Sequence, residues 1–110
     1  MKLPAVPFEV MDWSCVPPAE HAGAAGASLW RVWERDGLRV RRVTYSPGYQ
    51  SDHWCARGHV LMVVRGSITI RLKDGRSYEL GPGMSFAAGD DETNPHLASS
   101  VRGADVFIVD

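Results

Sequence analysis

Apolar and polar residues alternate along much of this chain with the two-residue period of a half-buried strand. Ile68, Ile70 and Leu72 fall on one face of an extended segment with polar residues between them. Residues 29–34 are rich in β-branched and aromatic side chains and predict a strand. Residues 38–45 predict its partner across the Asp36-Gly37 turn. Further strands are expected over 60–64, 67–72, 76–80, 84–88, 96–101 and 106–109, with a polar loop at 89–94. Turn signals separate them at Pro47-Gly48, Arg65-Gly66, Asp74-Gly75, Gly81-Pro82-Gly83 and Arg102-Gly103. Asp74-Gly75 is the clearest type I′ hairpin signal.

Residues 1–28 read differently. Pro4, Pro7, Pro17 and Pro18 break regular structure, and Gly23-Ala24-Ala25-Gly26-Ala27 reads as loop. Phe8, Val10 and Trp13 suit a short strand or an arm packed on the body, and residues 18–22 suit one helical turn. The chain is therefore expected to be all-β, with an irregular N-terminal arm over 1–28 and an antiparallel sandwich or barrel over 29–110. An immunoglobulin-like sandwich satisfies the strand count equally well.

Composition narrows the class. A chain of 110 residues is one domain, large enough for a core without disulfide staples. Its net charge of −1 offers no bulk field for nucleic acid or an acidic membrane. Arg39, Arg41 and Arg42 form a small basic cluster that reads as a solvated strand face. No apolar stretch approaches the ~20 residues of a membrane span, and two prolines with an early glutamate spoil a signal peptide. A soluble, cytoplasmic protein is the expectation. The two cysteines, Cys15 and Cys55, are too few for a secreted disulfide scaffold. Two free thiols rank above a single Cys15–Cys55 bridge.

The chemistry concentrates between Gly48 and Gly66. His53, Cys55 and His59, two of the four histidines and one of the two cysteines, lie within seven residues. On an extended strand His53 and Cys55 share a face. Imidazole nitrogen and thiolate sulfur are donors that zinc, iron, copper and nickel accept, so the cluster points to a metal site. A Cys–His nucleophilic pair from Cys55 and His59 is the lesser reading. His21 is most simply a surface histidine.

The same stretch resembles the first cupin motif, a glycine, then H-x-H, a glutamate and a closing glycine. Aligned on it, His53 takes the first histidine, Cys55 the second, His59 the glutamate and Gly66 the closing glycine. The second motif is looser: Gly83 fits its opening glycine, His96 its histidine and Ser100 its final asparagine. The string D-H-W-C at Asp52 to Cys55, with L-K-D-G-R downstream and F-I-V-D at the end, is similar to small single-domain bacterial proteins described as DHCW-motif cupins. The resemblance implies a cupin-type antiparallel jelly-roll barrel. It also implies that His96 returns to the cluster, so that His53, Cys55, His59 and His96 together bind one divalent transition metal. Zinc or iron leads, with nickel and copper also admitted.

Within that frame Trp54 should point to the opposite face of its strand, while Leu61 and Val63 share the parity of His59. Asp52 either orients a ligand histidine or is a solvated turn acid. Arg41, Tyr45 and Trp30 are candidate pocket residues. A metal-dependent enzyme acting on a small molecule, of oxygenase or isomerase type, is the leading functional expectation. A non-enzymatic binding or sensing module with a closed metal site is the alternative. A homodimer is expected, because single-domain cupins often pair and strand edges need cover.

Overall fold

Alternation is clearest in β5 (His59–Gly66), where His59, Leu61 and Val63 are buried and Val60, Met62 and Val64 are exposed. In this computed structural model, which describes residues 3–110, that strand belongs to a larger sheet. The sheet also contains β1 (Ala19–Ala22), β2 (Ala27–Arg35), β3 (Leu38–Tyr45), β8 (Ser85–Ala88) and β10 (Ala104–Val109). Its order is β1-β2-β3-β10-β5-β8. A smaller sheet contains β4 (Tyr49–Gln50), β6 (Ile68–Leu72), β7 (Ser77–Leu80) and β9 (His96–Ser100), in the order β4-β9-β6-β7. All named pairings are antiparallel. β10 is a late strand seated between β3 and β5, so non-local pairing organises the larger sheet.

The two inner faces form one core. Val43, Leu61, Val63, Ala104, Val106 and Ile108 from the larger sheet meet Ile68, Ile70 and Leu80 from the smaller one. On the outer face of the larger sheet Trp33, Leu38 and Val40 make a second cluster, covered by Val6, Met11 and Trp13 of the N-terminal arm. Glu9 fixes the arm there, accepting from Trp33 Nε1 at 2.8 Å and from Arg35 Nη2 at 3.2 Å. Phe8 and Val10 stand out into solvent.

Four expectations change. Residues 18–22 do not form a helical turn: Ala19–Ala22 is the edge strand β1, exposed throughout. The only helical turn among the described residues is a 3₁₀ turn at Trp13–Cys15, capped by Asp12. The type I′ signature, positive φ at both central residues, belongs to Asp36-Gly37 (49° and 81°). Asp74 has no such φ; Gly75 alone does, and Gly75 N donates to Leu72 O at 3.0 Å, as in a three-residue loop closed by a left-handed glycine. The arginine cluster is not a solvated face, because Arg41 is buried on the inner side of β3 with Val43 and Tyr45. Finally, the stretch from His53 to Cys55 is not a strand, having only an isolated bridge at Cys55.

Candidate metal centre at the mouth of the sandwich

Residues from both sheets converge at one end of the core. His59 opens β5, and His96 opens β9 on the facing sheet. Cys55 is tied to His96 by two backbone hydrogen bonds, Cys55 N to His96 O at 2.8 Å and His96 N to Cys55 O at 2.9 Å. That bridge does the work a strand was expected to do: it locks the irregular 51–58 segment beside β9 and aims the thiol. The segment is also stitched to the 89–94 loop, with Gly58 N donating to Asp90 Oδ1 at 2.6 Å and Asp91 N to Ala56 O at 3.0 Å. A Cβ at Gly58 would press on the backbone of Ala88, Gly89 and Asp90, so this approach needs glycine.

One ligand atom each from Cys55, His59 and His96 lies within 4.8 Å of the other two. The Nε2 atoms of His59 and His96 are 3.0 Å apart. Imidazoles sharing one ion at ~2.0–2.1 Å must bring their nitrogens within about 4 Å of each other, so the separation suits a shared ion. Both rings are buried, and Phe86 packs against both at centroid distances of 5.5 Å. Burial, then the neighbouring His96 ring and the arginines, push His59 down to about 4, against the opposing pull of Asp110. Burial also lowers His96. Near neutral pH both are therefore uncharged donors, the form a metal requires. Nδ1 of His59 is buried without a hydrogen-bond partner and faces Asp110 Oδ2 at 3.8 Å. The donor set fits a transition metal.

His53 stands apart from this trio. Its side chain is 71% exposed and its Nδ1 lies 2.7 Å from Asp52 Oδ1, although the residue lines the same cavity. Trp54 lies on the outer side, its ring beneath Lys73 Nζ at 4.5 Å and Arg71 at 5.5 Å. His21 sits on β1, exposed, with its ring 4.2 Å from that of Trp30. Cys15 and Cys55 are free thiols.

Beside the trio lies a cavity of about 130 Å³ that opens to solvent past His53. Trp30, Arg41 and Tyr45, the pocket residues expected from the sequence, all line it, and so does Leu61; Val63 is instead packed in the core. In front, a groove of about 440 Å³ runs past Cys55, His96, Phe86 and the 89–91 loop to solvent. Cys55, His96, Ile70 and Phe86 border both spaces, so two of the three donors stand between them, while His59 borders the small cavity.

Sequence reasoning missed Asp110. Its carboxylate is 1% exposed and receives Arg39 through Nε at 3.0 Å and Nη2 at 2.9 Å. Arg41 Nη2 and Arg57 Nε each approach its Oδ2 at 3.3 Å. Burial alone would raise this carboxyl, but the Arg39 hydrogen bonds and the charges of Arg41, Arg39 and Arg57 hold it below the ordinary range. The parity of Arg39 and Arg41 with Val43 and Tyr45 was the available signal that buried arginines would need a carboxylate.

No family model matches the sequence, and no curated protein does. Solved structures do match in three dimensions. A predicted oxalate decarboxylase from Thermotoga maritima superposes with a TM-score of 0.77 at 12% identity, covering 92% of this chain and 96% of that one. Ectoine synthase from P. lautus gives 0.73 at 14%, over 93% and 76% of the respective chains. Hydroxypropylphosphonic acid epoxidase from S. wedmorenis gives 0.72 at 14%, over 94% of this chain but only 59% of its own. At these identities the likeness establishes the fold. The chain has a cupin-type fold of two antiparallel sheets, with a Cys-His-His group at its mouth that could hold a metal.

Proposed function

We propose that this cupin domain is a metal-dependent enzyme acting on a small organic molecule, within the DHCW-motif subgroup its sequence resembles. One observation supports the reading above the rest: three nitrogen and sulfur donors meet at a small cavity, and two of them, Cys55 and His96, also border an open groove. Structural sites of the His/Cys kind are typically closed tetrahedra of protein ligands. Here the donors border free space on two sides.

Cys55, His59 and His96 would hold the ion. His53 is the proposed fourth ligand: its contact with Asp52 occupies Nδ1 and leaves Nε2 free to donate, an arrangement common among metal-bound histidines. Bound there, zinc would supply Lewis acidity and iron would add redox chemistry. The protein's own residues do the rest. Phe86 walls the two imidazoles and Trp30, Tyr45 and Tyr49 enclose the inner space. Tyr45 is buried, its phenol held well above the ordinary value first by desolvation, so it stays a neutral hydrogen-bond donor. Proteins of similar fold include an epoxidase, a synthase and a predicted decarboxylase, which supports catalysis on small molecules without selecting a reaction. No helix among the described residues is long and apolar enough to cross a membrane. Two free thiols, one of them exposed, suit a reducing compartment and support a cytoplasmic placement.

Cobalt(II) loading tests the open position. Azide or cyanide should perturb the visible spectrum of the cobalt protein. An intense tetrahedral thiolate spectrum that neither anion alters would favour the closed, non-enzymatic binding or sensing module instead.

A further inference from the structure

The cavity beside the trio is lined by a buried cation with an unmet need. Arg41 is 5% exposed, lies on the inner face of β3 and lines the cavity. Its guanidinium packs over Trp30 at 4.5 Å and reaches Asp110 only through Nη2, at 3.3 Å. Its Nε is buried with no hydrogen-bond partner. Asp110 cannot supply one. Arg39 already takes both carboxylate oxygens, and Oδ2 is shared with Arg41 and Arg57, more donors than its two lone pairs accommodate well. Three guanidiniums thus share one carboxylate at the edge of a cavity with no other acidic residue in its lining. A buried, under-bonded charge is costly unless an opposite charge joins it.

We propose that the cavity binds the carboxylate of a short organic acid on Arg41, beside the metal centre. The remaining lining fits such a guest. Leu61, Ile70, Ala98, Ile108 and Phe86 offer an apolar wall for a short carbon chain, and about 130 Å³ admits only a small molecule. Guanidinium forks recognise carboxylates with two parallel donors, and Arg41 has Nε and its remaining Nη hydrogens to give. This deepens the functional reading above by naming the substrate class. It rests on the inner cavity being the small-molecule site and does not require the ion to be present.

The test uses ¹⁵N-labelled, metal-free protein titrated with acetate, and with acetamide as the uncharged isostere. The Arg41 Nε–H resonance, assigned by its loss in Arg41→Lys, should shift saturably with acetate and stay put with acetamide. Backbone amides near β3 should report at least tenfold weaker acetate binding in Arg41→Lys, which keeps the charge facing Asp110 but lacks the Nε–H. An unmoved Nε–H resonance, an equal response to acetamide, or unchanged affinity in Arg41→Lys overturns the proposal. If acetate binds only the metal-loaded protein and ignores Arg41→Lys, the anion sits on the ion, and the carboxylate pocket fails while the metal reading stands. If the Arg41 signal responds but no metal can be loaded, the metal reading fails and the pocket stands.

Discussion

Acidifying the metal-free protein from pH 7 to pH 4 should weaken the fold through His59. The imidazole has an ordinary value of 6.5 when the chain is unfolded and about 4 when folded, chiefly because burial opposes its charge. The unfolded chain therefore binds a proton over this window that the folded chain declines. The contribution is intact above pH 6.5, shrinks as pH falls, and is gone below about 4. At ~1.4 kcal/mol per unit the loss is about 3 kcal/mol at the most, a large share of the 5–15 kcal/mol typical of a domain. His96 is shifted the same way and adds to it. The depressed carboxyls Asp105 and Asp110 act at lower pH, because their contribution is lost only as pH falls below the ordinary carboxylate range. Urea unfolding followed by tryptophan fluorescence at several pH values reads the effect as a midpoint lowered by roughly 1–2 M. His59→Gln should flatten most of the slope. A midpoint constant between pH 7 and 5, or an equal slope in His59→Gln, would refute the reasoning.

Other outcomes follow from the same contacts. Asp110→Ala leaves Arg41 buried without its carboxylate and should cost about 3 kcal/mol in urea unfolding; a loss below about 1 kcal/mol would show the arginines re-solvating freely. In equilibrium dialysis against a chelator, His96→Ala should empty the site and His53→Ala should weaken it less. His21→Ala should leave it unchanged, and equal losses in all three would reject the ligand assignment. Light scattering at micromolar concentration should report a homodimer, the exposed strip Val60, Met62 and Val64 on β5 offering an apolar contact face. A monomeric mass, or a dimer indifferent to Met62→Lys, would count against that face.

Much of the fold was legible because burial alternates along the central strands β5 and β10 and turn residues punctuate the rest. β3 runs from Leu38 to Tyr45 as the pattern predicts, and β5 hides His59, Leu61 and Val63 on one side. The site was legible only in part. His59 and Cys55 announced themselves by residue type, but their partner His96 is 37 residues from His59 and needs the two sheets to face each other. Residues 53–55 looked like a strand because His53 and Cys55 have strand spacing. The 51–58 segment is instead held by hydrogen bonds between Ser51, Cys55, Ala56 and Gly58 and residues 90–98. β1 was hidden because an edge strand with every residue exposed leaves no hydrophobic period to read. Asp110 was hidden for another reason: it meets Arg39 across 71 residues, through the β3–β10 pairing that no local pattern encodes.

X-ray absorption at the metal edge, on protein purified without added metal, tests the central claim most directly. About one ion per chain is expected, with one sulfur and at least two imidazoles in its shell; the sulfur should vanish in Cys55→Ser and an imidazole in His96→Ala. Protein that carries no transition metal and takes up none, or an ion whose shell contains no sulfur and is the same in both variants, would contradict it.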